Sequence, residues 1–463
     1  MKKGFTLIEL LAVITILGII ALITTPIILN VIEQAKEKSY LLDADNIART
    51  INSKMLDEGV SISGTYTKEQ AQNLLNINFD GDEIIVTLVE DVPYVSLIVN
   101  GNSYLSNHTK IYGLEWDGND NYTRLEDAVG MVANAGVDDE VVVNDFDTAQ
   151  IYSEMKDVIE DGNSFVKIPK FYIKKVVNGD DWQWYISKIK VDDDYYLPAC
   201  FMDETDNEVL DYILVGKYDA SLEGDKLVSK SGTTPLVSKT ITEFRTYALN
   251  NNVGDVSGYQ LIDIHTIDVL QVLFYVEFGT LNSQDIMMGF VNGSAANTSG
   301  QTDTVVASSG SLTSNTDGLS SMMYRGIENL YGNVWQMIDG ISVDNSTHQF
   351  FVNRNSDSYE TDSTTGDYYV VGYSQLYASG YITKMGYDNS NPFIQFPIAI
   401  TGGSLSAKYA DKYSIAADSE MKILYFGGRW YSGLEAGINN LYTIQSSVTS
   451  AGTAGARIVK NPS

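Results

Sequence analysis

Glu9 is the residue whose chemistry most needs an explanation. It lies in "FTLIELLAVITILGIIALITTPIIL", residues 5–29, which hold one charged residue and one proline, Pro26. A carboxylate deep in a membrane helix costs roughly 2.5–3.5 kcal/mol on insertion scales, so it needs a partner. The segment itself contains no cation. A cut after Gly4 would supply one, because Phe5 would then carry a free amine one helical turn from Glu9. Between neighbouring copies, amine and carboxylate can neutralise each other inside a helical bundle.

No other constellation nominates a catalytic group. The three histidines, His108, His265 and His348, lie far apart and share no carboxylate spacing, and His265 reads as a helix cap or a satisfied core residue. Cys200 is the one cysteine, so no intrachain disulfide can form, and a lone cysteine is usually a small buried hydrophobe. "DGNDN" (117–121) begins like a calcium loop, but Ala128 stands at the twelfth position, where a bidentate Glu is required. The runs "VDDDYY" (191–196) and "DETDNEVLD" (203–211) read as solvated surface, with weak structural Ca²⁺ binding left open. There is no Gly-rich phosphate loop, Ser–His–Asp order or zinc spacing. The expectation is a protein that is not an enzyme, with no catalytic residue, no metal ligand and no cofactor.

The elements that must position Glu9 follow from the pattern around it. Residues 5–29 would span about 37 Å as a helix, enough for a ~30 Å hydrocarbon layer. Lys2 and Lys3 precede the segment, which puts the N-terminus in the cytoplasm and the body outside. The helical pattern runs on, with Ile47, Ile51 and Met55 on one face, until Gly59. The result is one helix about 80 Å long. Pro26 should kink or locally melt it. Residues 59–108 alternate in hydropathy around a "VNGN" turn and predict a small antiparallel hairpin head after a short helix.

At 463 residues the chain exceeds one ordinary core. Its 60 acidic against 30 basic residues give a formal charge of −30, which opposes nucleic acid as a partner. Residues 266–279 predict a helix apolar on most sides and therefore buried. The polar stretches 292–318 and 344–367 read as exposed loops or insertions.

The stretch "KKG|FTLIELLAVITILGIIA", with Gly4, Phe5, Glu9, Gly18 and Pro26, resembles the class III signal of type IV prepilins and pseudopilins. The resemblance implies cleavage after Gly4 and N-methylation of Phe5 by a prepilin peptidase, a cytoplasmic-membrane precursor, and packing with other pilin subunits into a filament. It divides the chain into a leader (1–4), a pilin helix (5–58, with 5–29 in the membrane or filament core), a small β head (59–108) and a larger body (109–463).

In the body, "VKIPKFYIKK", "VGKYDAS", "GYQLIDIHTIDVLQVLF", "GIENLYGNVWQMIDGI", "TGGS" and the terminal "ILYFGGRWYSGLEAGINNLYTIQSSVTSAGTAGARIV" (423–459) occur in this order. Together they resemble the formylglycine-generating-enzyme branch of the C-type lectin fold, most closely its non-catalytic members among diversity-generating retroelement targets. The fold class implied is α+β: a long pilin helix with a small antiparallel sheet, then a large C-type-lectin-like domain. Formylglycine generation needs paired cysteines, and Cys200 stands alone. The Glu-Pro-Asn and Gln-Pro-Asp tripeptides of calcium-dependent sugar binding are absent.

Carried over residue by residue, the resemblance implies a ligand-facing set of Tyr431, Ser432, Leu434, Glu435, Asn439, Asn440 and Tyr442. It implies a scaffold of Trp335, Gly427, Gly428, Trp430, Gly433, Ala436, Gly437, Gly455 and Arg457. Adenine mutagenesis of AAY codons does not produce Glu, so Glu435 would be fixed by the template or the locus is not diversified. The expected function is adhesion or recognition of an extracellular protein or glycan by a minor pilin or pseudopilin. The alternatives are a shaft pilin with a decorative body, an enzyme of unknown type, and DNA capture, which the net charge opposes.

Overall fold

The computed structural model describes residues 7–119, 121–203, 208–392, 394–402 and 409–462. Gly4 and Phe5 lie outside the described residues, as do Gly403 and Ser404 of "TGGS" and the surroundings of Glu9, Gly18 and Pro26. The chain divides into two units, one of residues 1–109 with 189–193 and one of residues 110–188 with 194–463.

The first unit is built on helix α1, Leu7–Glu58. The helix is continuous through position 26, so the local melting expected there does not occur. Thr15 and Thr50 return their hydroxyls to carbonyls one turn back, at 2.8 Å each. The described apolar side chains of its first half are exposed, Leu7 at 83% and Leu22 at 78% among them. Among the described residues no helix is long and apolar enough to cross a membrane. The second half differs. Ala44, Ile47, Ala48 and Ile51 follow the helical period and are buried with Ile84, Val86, Val95 and Leu97.

Those partners come from the antiparallel sheet β1 (Gly64–Thr67), β2 (Glu83–Val89), β3 (Val92–Val99) and β4 (Asn102–Leu105). Its two hairpin turns place Glu90–Asp91 and Asn100–Gly101 at positive φ, the primed geometry that matches strand twist. Helix α2 (Lys68–Leu75) opens on a Thr67–Gln70 capping box. Residues 189–193 join this unit through Ser96 Oγ, which donates to the Val191 carbonyl at 2.6 Å.

The second unit is sheet-rich around one buried helix. Helix α3 (Ile241–Leu249) has a Thr240–Glu243 capping box. Helix α4 (Ile264–Phe278) is buried at every residue, capped by Asp263 at its start and by Gly279 at φ 67° at its end. A four-stranded sheet runs Tyr172–Asn178, Asp181–Ser187, Ile111–Trp116, Tyr122–Glu126. In a five-stranded sheet the last strand of the chain, Ile458–Lys460, lies between Tyr259–Leu261 and Tyr212–Gly216. A larger sheet pairs Trp335–Asp344 with Met421–Phe426 and, in parallel, with Ala454–Gly455.

Two expectations need correction. Residues 292–318 are not simply an exposed loop, because Ser299, Thr302, Ser309 and Ser311 are buried. Nor are residues 344–367, which supply the strand Gln349–Asn353 with Phe350 and Val352 fully buried. In both, polar side chains and backbone find partners inside the fold, so polar composition does not mean solvent.

A candidate binding loop at Gly427–Glu435

The strand Met421–Phe426 ends at two glycines with φ 88° and 92°. A Cβ at position 427 would press on the Tyr331 backbone at 3.1 Å, and one at 428 would lie 2.5 Å from the Ala436 Cβ. Only glycine allows so close an approach. The loop beyond is pinned through its backbone. Gly427 N–H donates to the Asn440 carbonyl (3.0 Å), Trp430 N–H to Asn333 (2.9 Å) and Gly433 N–H to Val291 (2.9 Å). The Trp430 carbonyl accepts from Gly293 at 2.6 Å.

On this frame Tyr431 is 50% exposed and Leu434 42%. Arg429 stacks its guanidinium over the Tyr431 ring at 4.0 Å, while Trp430 meets the same ring edge-on at 5.5 Å. Arg429 Nη1 donates to Thr453 Oγ1 at 3.3 Å, and its buried Nε has no hydrogen-bond partner among the described residues. Ser432 Oγ accepts from the Arg429 N–H at 3.0 Å, closing the turn. Glu435 forms a half-exposed ion pair with Lys412 at 2.7 Å.

The ligand-facing set implied by the resemblance therefore splits. Tyr431, Ser432, Leu434 and Glu435 come together on one exposed turn. Asn439 and Asn440 do not, because both are buried and serve the scaffold. Asn439 accepts from the Tyr275 hydroxyl and donates to Leu281 O at 2.9 Å. Asn440 Nδ2 donates to the carbonyls of Lys412 (2.9 Å) and Glu435 (2.6 Å). Each amide satisfies carbonyls that the irregular chain path would otherwise leave unpaired. Tyr442 is half-buried in the packing of Trp335 and Tyr425, with ring centroids at 5.0 and 5.8 Å. Of the implied scaffold, Trp430 is only partly buried, whereas Trp335 is buried.

Beneath the loop sits a buried polar hub. Arg457, fully buried, donates to Gly216 O (2.7 Å), Glu328 O (2.8 Å), Asn329 O (3.0 Å), Gln336 Oε1 (3.1 Å) and Asp219 (3.1 Å). Asn333, in the left-handed turn of "YGNVW", donates to Asp219 at 2.8 Å and accepts from Asn297 N–H at 2.8 Å. Glu328 accepts from Gly300 N–H (2.9 Å) and from Thr302 N–H and hydroxyl (2.8 Å each). Burial pushes Asp219 up to about 6 against the pull of Arg457, and Glu328 up to about 7.

Gly437, at φ 146°, lies against the Asp411 carboxylate, which a Cβ there would overlap. Asp411 is held well above the usual carboxylate range by burial, and its Oδ2 accepts from Asn439 N–H at 2.6 Å. Cys200 is buried and its thiol is pushed up by the same cause. His265 lies within α4, with Nε2 2.9 Å from the Asn353 carbonyl. Among the described residues no three His, Cys, Asp or Glu side chains gather as a metal site. A separate polar cavity of about 670 Å³ is lined by Tyr212, Arg245, Tyr259, Asp339 and Tyr359. There Arg245 is held bidentately by Asp339 at 2.7 and 2.8 Å.

Arg429 was not singled out by sequence reasoning. Its place inside "GGRW", directly before the aromatic pair, was the available signal.

Residues 1–25 match the prokaryotic N-terminal methylation motif. That motif implies processing by a prepilin peptidase, a membrane-anchored precursor and assembly with other pilins. Among solved structures, the chain is similar to the Major Tropism Determinant P3c Variant at 12% identity, over 87% of this chain and 84% of that one. The TM-score is 0.26, a likeness too slight to rest anything on.

Proposed function

We propose that the chain is a minor pilin or pseudopilin that displays a ligand-binding body, of C-type-lectin and formylglycine-generating-enzyme-like kind, on a surface filament. The body binds an extracellular protein or glycan and performs no chemistry, with no cofactor beyond a structural Ca²⁺ at most. Delivery is supported by the methylation motif at residues 1–25 and by the exposed apolar first half of α1, which needs neighbouring helices to cover it.

Recognition is carried by one observation: a half-exposed Tyr431 is held under Arg429 on a loop fixed through its backbone. Rigid aromatic side chains with an arginine beside them give contact area at little entropic cost. The strongly acidic chain favours a ligand surface with cationic or neutral groups. Whether the loop is diversified by a retroelement is decided by the neighbouring DNA, where a reverse transcriptase and a near-copy of the 3′ end differing at adenines would have to appear.

The test compares purified filaments carrying wild-type chain with filaments carrying Tyr431→Ala/Leu434→Ala, for binding to whole cells and to arrayed glycans. Loss of binding with unchanged assembly is expected; equal binding by the two would sink the assignment. A shaft role is the competing view, and a copy number near that of the most abundant pilin in purified filaments would favour it.

A further inference from the structure

Lys175 and Asp268 form a pair that the binding loop does not use. Lys175 lies on the strand Tyr172–Asn178 and Asp268 on α4, 93 residues away. The side chains are 0% and 3% exposed. Lys175 Nζ stands 2.6 Å from Oδ1 and 2.9 Å from Oδ2, so the amine meets both oxygens of the one carboxyl.

The surroundings are aromatic and buried. Trp184 is the direct cross-strand partner of Lys175, it stacks on Trp182 at 5.5 Å, and Tyr275 of α4 meets it edge-on at 5.4 Å. Gln395, with its amide oriented to suit both neighbours, accepts from Lys175 Nζ at 3.2 Å and from Trp184 Nε1 at 3.0 Å. That bond fixes the amine against the carboxyl. Burial lowers the lysine from its ordinary value and raises Asp268 to about 6, so each partner is moved toward its uncharged form. An uncharged amine is a nucleophile and a protonated carboxyl is its acceptor. Fixing the two in contact removes the entropic part of the barrier.

From this geometry we propose that Lys175 and Asp268 are a modification site, where the side chains condense into an intramolecular isopeptide bond. Nζ attacks Cγ of the protonated carboxyl, the C–O bond to the hydroxyl breaks, and an amine proton leaves with that hydroxyl as water. The pair holds the same protons whether charged or neutral, so no oxidant, reductant or outside acid is needed. The product ties the four-stranded sheet covalently to the central helix. An amide also removes two charges from a site shielded from solvent.

The test is the denatured intact mass of the full chain, compared with the sequence mass after allowance for leader removal and methylation. A deficit of one water is expected. Digestion should give a branched peptide joining the segments around Lys175 and Asp268, with no tryptic cut after Lys175. Lys175→Met and Asp268→Leu should each restore the full mass, and Asp268→Asn should show loss of ammonia in its place. A wild-type population entirely at full mass, with Lys175 cut by trypsin, overturns the proposal, and that readout does not depend on any variant folding.

Discussion

The Arg429 guanidinium carbon stands over the Tyr431 ring, 4.0 Å from its centre, while Tyr431 keeps half its surface in solvent. The contact holds the ring in one place before any ligand arrives. An exposed cation–π pair is worth about 0.5–1 kcal/mol, so it contributes orientation more than stability. Arg429→Ala should shift thermal unfolding only slightly and weaken ligand capture about two- to fivefold. Arg429→Lys should recover part of the loss, because Lys keeps the charge without the guanidinium. Equal capture by all three chains in a filament-binding assay would show that the stack has no role in recognition.

Gly437→Ala tests the scaffold instead. The added methyl would overlap the Asp411 carboxylate at a φ of 146°, where L side chains rarely sit. A loss on the order of 2–4 kcal/mol is expected in denaturant titration. Gly452→Ala, whose nearest neighbour is 3.6 Å away, should change little.

Acidity should stabilise the body. Glu328 stands at about 7 and Asp219 at about 6 when folded, both above their ordinary values. The folded state therefore binds more protons than the unfolded chain between roughly pH 4 and 7. Their contribution is fully present below the unfolded values and is lost as pH rises through about 6 and then about 7. Stability measured by denaturant should fall from pH 5 to pH 8, and Glu328→Gln should flatten that slope by up to roughly 3 kcal/mol across the range. An unchanged slope in the variant would remove Glu328 from the account.

Two N-terminal variants separate processing from assembly. Gly4→Leu should leave the leader in place, seen as an unshifted precursor and no N-methylated Phe5 by mass spectrometry. Glu9→Val should be cut and methylated yet scarce in sheared filaments, with the chain held in the membrane fraction. Normal incorporation of Glu9→Val would remove the amine–carboxylate pair as the driver.

What was legible in the sequence was periodicity. The stretch 266–279 is apolar on nearly all sides, and α4 is buried throughout. The "VNGN" turn is legible because two positive-φ positions favour Asn and Gly in a hairpin. The site was only half legible. Tyr431 and Asn439 look equally suited to face a ligand in the sequence. They separate only because the Tyr275 hydroxyl and the Leu281 carbonyl, far off in the chain, stand where Asn439 can meet them. Lys175 and Asp268 were invisible for the same reason, since nothing local announces a contact across 93 positions.

The strand Ile458–Lys460 occupies an inner place in its sheet, and Arg457 just before it reaches Gly216 across 241 positions. The two strands on either side of it cannot be joined until that segment arrives. Contacts of such separation form slowly. A chain that stops short of residue 457 therefore leaves two open sheet edges where the closed protein has none between them.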